Sequence, residues 1–168
     1  MTMPQELAVI IEAFERNARV NRAVLATLDM PTLDHHDGVG GFSIGQHLAD
    51  IVSFRAEWLR RVSPEHAELI PDAIDERAPT WLAAKTIEDL QLAFEAGDAA
   101  VRDAVLAAVR AGRRFEGAYE SHPAQLIVHC IVHDAHHRGQ IMALLRQSGR
   151  GAEERERLEE ATWPIWRE

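Results

Sequence analysis

Apolar residues recur every three to four positions in four segments of the chain, a spacing that places them on one face of an α-helix. These segments predict helices at about residues 4–28, 43–62, 86–111 and 123–147. No segment shows the strict apolar–polar alternation of a half-buried strand. We therefore expect one all-α domain over residues 1–168, in which the four helices bury their apolar faces as a four-helix bundle.

Local signals mark two helix starts. Ser43 and Gln46 have the spacing of a capping box, in which each side chain bonds the free backbone N–H of the other residue. Thr86 and Asp89 form a similar pair. Residues 63–85 contain three prolines and no sustained period, so we interpret them as a long connection. A connection of this length predicts that the second and third helices run parallel and are joined by a crossover.

Three further features flank or interrupt the helical pattern. Residues 29–42 are rich in glycine and aspartate and predict a loop. Asn21 interrupts the apolar stripe of the first helix, where a polar group could fix the register or face a pocket. Residues 152–168 form a charged tail whose Trp163 and Trp166 we expect to pack back onto the bundle.

The composition excludes several classes of protein. A chain of 168 residues that is 46% hydrophobic and 27% charged is typical of an ordinary globular domain. The net charge of -9 and the lack of a sizeable basic patch argue against nucleic-acid binding. No apolar stretch is long enough to span a membrane. A single cysteine, Cys130, and a start without signal-peptide features predict a cytoplasmic protein.

Histidines are concentrated in the last predicted helix. Two of them, His133 and His137, have the i, i+4 spacing that lets two imidazoles converge on one ion. A catalytic divalent ion usually has three protein ligands and an open position. His129 lies a full turn from this pair, and we expect it to line a pocket or to support a ligand from behind. The role of His136 stays open.

His47 is the candidate third ligand. It lies in the first turn of the second helix, on the same stripe as Ile44, Leu48 and Ile51, so it points into the bundle. The partial positive charge of a helix N-terminus disfavours the imidazolium form, which leaves His47 neutral, as a metal ligand must be. We therefore predict one divalent metal ion at His47, His133 and His137. Imidazole ligands accept several transition metals, and of these we expect zinc or nickel.

Two strings of the sequence resemble the DinB family. Residues 132–141, Val-His-Asp-Ala-His-His-Arg-Gly-Gln-Ile, are similar to the last-helix signature of that family. Residues 43–51, Ser-Ile-Gly-Gln-His-Leu-Ala-Asp-Ile, with Trp58 after them, are similar to its second-helix motif. Family members often carry histidine where this chain has Asp50, so we give Asp50 only a supporting role behind the ligands.

The resemblance implies a four-helix bundle of up-down-down-up connectivity, often a homodimer. It also implies a three-histidine divalent metal site, which falls on His47, His133 and His137, with water completing the coordination. Relatives in the wider superfamily are thiol-dependent transferases and isomerases, in which the metal activates the sulfur of bacillithiol or mycothiol. A thiol S-transferase that uses a low-molecular-weight thiol and a small-molecule substrate is the function this resemblance favours.

Two other functions remain open, and the sequence assigns no catalytic residue. The string around His133 and His137 could belong to a metal-dependent hydrolase in which Asp134 replaces the glutamate that acts as general base. Aspartate is one methylene shorter than that glutamate, and Asp134 projects about 100° from His133, so this interpretation is weaker. Alternatively, the metal could stabilise a non-enzymatic bundle that binds a partner.

Overall fold

The computed structural model describes residues 5–71, 86–150 and 152–168. These residues form helices and loops, and no strand occurs among them. The helices, in chain order, are α1 (Gln5–Ala26), α2 (Met30–Leu33), α3 (Ile44–Val62), α4 (Pro64–Ala67), α5 (Ile87–Arg110), α6 (Ala124–Gln147), α7 (Ala152–Thr162) and a closing 3-10 helix (Trp163–Arg167).

The four long helices α1, α3, α5 and α6 confirm the four segments predicted from apolar periodicity. Both capping boxes are present. The Ser43 hydroxyl accepts a bond from the Gln46 backbone N–H, and the Gln46 side chain accepts one from the Ser43 N–H. Thr86 and Asp89 make the equivalent pair at the start of α5. These caps satisfy backbone donors that would otherwise lack partners in the first helical turn.

Short helices occur where we expected only connections. Helix α2 lies inside the predicted loop, because Asp29 caps it by accepting from the Thr32 N–H at 3.0 Å and a proline occupies its first turn. Helix α4 follows directly after α3. Segments of four residues are too short to show a periodic apolar stripe. The predicted helix start at residue 4 and most of the long connection, residues 72–85, lie outside the described residues.

The carboxyl-terminal tail returns to α1, but not through its tryptophans. Leu158 of α7 is buried in the core, and the Arg16 guanidinium donates to the Ile165 carbonyl at 2.8 Å. Trp163 is 60% exposed and Trp166 is 37% exposed, so the expectation that both pack back onto the bundle is wrong. Leu158, the bond from Arg16 and an ion pair between Arg19 and Glu168 at 2.7 Å hold the tail against α1.

Two apolar clusters make up the core, and each receives side chains from all four long helices. The first cluster includes Leu25, Leu48, Phe94 and Ile141. The second cluster includes Phe14, Leu59, Val101 and Ile127. Helices α1 and α3 each pack against both α5 and α6.

Between the two apolar clusters lie five buried polar residues, which we call the polar layer: Asn17, Asn21, Arg55, Asp98 and Asp134. In every long helix the polar-layer residue falls between the residues of one cluster and those of the other. Charged side chains are rarely buried unless they are paired. The residues of the polar layer therefore need partners, and they bind one another beside the histidines of α6.

None of the described helices combines the length and the apolar character that crossing a membrane requires.

Candidate metal centre

Two of the four central histidines of α6 are shielded from solvent beside α3. His137 is buried and His133 is half-buried, whereas His129 and His136 are exposed. The ring centroids of His133 and His137 lie 4.4 Å apart. The inward pair is thus the i, i+4 pair selected from the sequence.

Three donor atoms meet on the α3-facing side of this pair. Nε2 of His137 lies 3.2 Å from Nε2 of His133 and 3.1 Å from Oδ2 of Asp50. Nε2 of His133 lies 3.7 Å from the same Asp50 oxygen. Metal–ligand bonds of about 2.1 Å at tetrahedral angles place two donors about 3.4 Å apart. The donor separations therefore fit one small divalent ion, and Asp50, His133 and His137 are positioned to hold it.

His47 lies on the other side of His137. Its Nδ1 is 2.9 Å from Nδ1 of His137. The other ring nitrogen of His137, Nε2, is the one that faces Asp50. The structure therefore brings the three predicted histidines into one contiguous row. It adds Asp50, which stands one helical turn after His47, to the atoms that surround the candidate ion position. The ligand role of His47 stays a prediction.

The electrostatics favour a neutral His47 and an anionic Asp50 at this site. Burial, with the neighbouring His137 acting in the same direction, lowers the pKa of His47 to about 4. The imidazoles of His133 and His137 lower the pKa of Asp50 well below its usual range. Burial alone would lower the pKa of His133, but the carboxylates of Asp134 and Asp50 raise it. An anionic carboxylate beside imidazoles attracts a cation.

A family comparison agrees with this geometry. The model of the DinB family matches residues 3–168, which is nearly the whole chain. The chain belongs to the DinB family. Comparisons with curated proteins and with solved structures give no significant match.

In this DinB-family protein, aromatic residues pack beside His133 and His129. Phe54 stacks on the His133 ring with centroids 3.8 Å apart and 20° between the planes. The same phenyl ring meets His129 edge-on at 4.7 Å. The Tyr119 hydroxyl lies 2.8 Å from Nδ1 of His129. His129 therefore belongs to an aromatic group next to His133, and the prediction that it lines a pocket or supports a ligand stays a prediction.

The polar layer begins next to His133, at Asp134. This residue is fully buried, and its Oδ2 accepts bonds from the side-chain amides of Asn17 at 2.6 Å and Asn21 at 2.7 Å. The Arg55 guanidinium makes a two-pronged pair with the same carboxylate, at 3.0 Å to Oδ1 and 2.7 Å to Oδ2. Burial alone would raise the pKa of Asp134, but the charge of Arg55 holds it below its usual range.

Arg55 joins this carboxylate to helix α5. Its Nε donates to Asp98 at 2.8 Å, and one terminal nitrogen donates to the Ile51 carbonyl at 2.7 Å. Gly97 makes room for it, because a Cβ built at position 97 would lie 2.9 Å from Cδ of Arg55. Burial raises the pKa of Asp98, although Arg55 opposes the shift. Arg138 closes the layer by donating to the side-chain oxygens of both asparagines.

The DinB motif itself did not reveal Arg55 and Asp98. A signal for both was nevertheless present in the sequence. Arg55 falls four residues after Ile51 and four before Leu59, so a charge occupies the apolar stripe of α3. Asp98 interrupts the stripe of α5 in the same way. Asn21, which was singled out for this reason, proves to be buried in the same layer.

Proposed function

We propose that this DinB-family protein binds one divalent metal ion through His133, His137 and Asp50, with His47 as the alternative third donor. The single observation that carries the proposal is the set of donor separations, 3.1, 3.2 and 3.7 Å, around one point on the α3 side of α6. His47 is included because it contacts His137 and because the sequence motif selects it. A set of imidazoles and one carboxylate suits zinc or nickel better than magnesium or calcium.

Metal content of the purified, tag-free protein tests the proposal. Mass spectrometry should find about one equivalent of metal per chain, and the His133→Ala variant should lose it while keeping its helical circular dichroism spectrum. His136→Ala is the matched control, because His136 lies on the same helix but is exposed. Absence of bound metal in the wild-type protein, even after incubation with zinc or nickel, would refute the proposal.

The two uncertain donors can be told apart in the same assay. If Asp50 binds the ion directly, Asp50→Ala should weaken metal binding about as much as His133→Ala does. If His47 binds as well, His47→Ala should have a comparable effect. A loss that occurs with His47→Ala but not with Asp50→Ala would assign the ligands as the three histidines, and it would return Asp50 to a supporting role.

For the chemistry, we propose a metal-dependent thiol S-transferase. A divalent ion held mainly by neutral imidazoles supplies Lewis-acid activation of a bound thiol or water. Asp50 and His133 keep side-chain exposures of 29% and 17%, so a small molecule can approach the donors from solvent. Membership of the DinB family supports a low-molecular-weight thiol as the cofactor. Conjugation of a thiol to a chromogenic electrophile should depend on metal and should be lost in His133→Ala.

A non-enzymatic, metal-stabilised bundle is the second candidate. Four protein donors would close the coordination of a tetrahedral ion, which is typical of structural sites. A chelator would then lower the melting temperature strongly, and no thiol transfer would be found. The hydrolase alternative loses its proposed base, because Asp134 is fully buried and bound by Arg55, Asn17 and Asn21.

We also propose up-down-down-up connectivity for the four long helices. The early residues of α3 and α5, such as Leu48 and Leu90, share the first cluster with the late residues of α1 and α6, such as Leu25 and Ile141. This sharing supports α3 and α5 as parallel to each other and antiparallel to α1 and α6. We further propose a homodimer, which light scattering of the purified protein would test, and a cytoplasmic location, supported by the single, buried cysteine.

A further inference from the structure

We propose that Asp134 is a positioning residue of the metal centre. Its Oδ1 atom accepts a hydrogen bond from Nδ1–H of His133 and so holds the opposite ring nitrogen, Nε2, toward the ion. This role rests on the metal-binding function proposed above. Asp134 is not one of the proposed metal donors, and its contact with His133 would link the polar layer to the metal centre.

The His133 ring has a buried nitrogen, Nδ1, that lacks a hydrogen-bond partner among the described residues. The nearest carboxylate oxygen is Oδ1 of Asp134, at 3.9 Å. A neutral imidazole carries one proton, and a metal at Nε2 requires that proton to be on Nδ1. A buried N–H needs an acceptor, and a shift of about 1 Å would bring Nδ1 to an ordinary bonding distance from Asp134.

The two carboxylate oxygens of Asp134 accept different numbers of hydrogen bonds. Oδ2 accepts three bonds, from Asn17, Asn21 and Arg55, whereas Oδ1 accepts one bond, from Arg55. A carboxylate has about four acceptor positions, two on each oxygen. The oxygen with unused acceptor capacity is the one that faces His133.

Further contacts orient both Asp134 and the His133 ring. Asp134 is bound from two neighbouring helices, by Arg55 of α3 and by the two asparagines of α1. Phe54 stacks on the His133 ring at 3.8 Å and restricts the tilt of its plane. Groups behind a metal-bound histidine commonly orient the ring, and their loss costs about 10- to 100-fold in metal affinity.

Asp134→Asn tests this role, with Asp98→Asn as the matched control. Each variant removes one negative charge from the same buried Arg55, but Asp98 does not face His133. The three donors around Oδ2 would draw the carbonyl oxygen of an asparagine at position 134 to that side. Its NH2 group would then face the N–H of His133, which cannot accept a bond. We expect zinc affinity, measured by competition with a chromophoric chelator, to fall by about 10- to 100-fold in Asp134→Asn and by less than about twofold in Asp98→Asn.

A second measurement needs no change at position 134. In the zinc-loaded wild-type protein labelled with 15N, the His133 ring should show a protonated Nδ1 whose hydrogen exchanges slowly with water. His136, which is exposed, supplies the fast-exchanging comparison. This measurement decides the question if Asp134→Asn fails to fold.

The outcomes separate the two proposals. Equal zinc affinity in Asp134→Asn and Asp98→Asn would overturn the positioning role and leave the metal centre intact. A His133 ring with no proton on Nδ1, or with one that exchanges rapidly, would do the same. If the wild-type protein binds no metal at all, both the metal centre and the positioning role are refuted.

Discussion

Replacing Arg55 by methionine should destabilise the protein more than most single substitutions. The guanidinium is completely buried and donates to Asp98, to both oxygens of Asp134 and to the Ile51 carbonyl. Methionine fills much of the same volume but donates no hydrogen bond. The variant would therefore leave Asp134 with only the bonds from Asn17 and Asn21. Asp98 would keep only the longer contact with Arg22, at 3.6 Å.

The size of the effect follows from this loss. Removing one partner of a buried ion pair costs about 3–5 kcal/mol, because the remaining charge stays desolvated. The free energy of unfolding of a domain is only about 5–15 kcal/mol. Arg55→Met should thus remove a large share of the total stability. Adding Asp134→Asn to Arg55→Met should cost less than the sum of the two single changes, because the second substitution removes one of the stranded charges.

Urea denaturation followed by far-ultraviolet circular dichroism measures this effect, provided that the m-value is unchanged. Arg155→Met is the control, because Arg155 pairs with Glu159 at 3.7 Å while both side chains are about half exposed. Such a surface pair contributes only about 0.3–0.5 kcal/mol. If Arg55→Met were as mild as Arg155→Met, the polar layer would not be a set of mutually dependent buried charges, and the reasoning would fail.

Other predictions follow from single sites. Gly97→Ala should lower the unfolding free energy by up to about 2 kcal/mol in urea denaturation, because overpacking against the pinned Arg55 outweighs the gain in helix propensity. Gly139→Ala should instead raise it by up to about 1 kcal/mol, since an added Cβ meets no described atom within 4 Å; a loss of stability would contradict this. Burial raises the pKa of Cys130 to about 12, so iodoacetamide at pH 9 should label the unfolded but not the native protein. Zinc should raise the melting temperature of the wild-type protein and leave that of His133→Ala unchanged.

The long helices were predictable because their signals are local. Apolar periodicity and two capping boxes placed the ends of α3, α5 and α6 within about a residue, and α1 ends two residues before the predicted boundary. Helices α2 and α4 have four residues each and show no period. Helix α7 is strongly charged and carries one buried leucine, Leu158, so its sequence resembles a solvated tail.

The candidate site was predictable only where its residues share one helix. His133 and His137 follow from the i, i+4 spacing along α6. Whether His47 or Asp50 on α3 faces the shared donor position depends on how α3 is rotated against α6, and that rotation is a tertiary property. The sequence pattern shows which face of α3 is buried, but it does not show how that face is rotated relative to α6.

The polar layer also fixes the alignment of the helices along their axes. An apolar core tolerates some sliding, because one leucine can replace another in a contact of similar size. A slip by one turn, about 5.4 Å, would carry Arg55 away from Asp98 and Asp134 and strand all three charges in an apolar interior. Because Asp50 stands five residues before Arg55 and His133 stands next to Asp134, the restraint that forbids the slip also keeps the metal donors at the same height. An ion that binds there would therefore meet donors that are already level with one another.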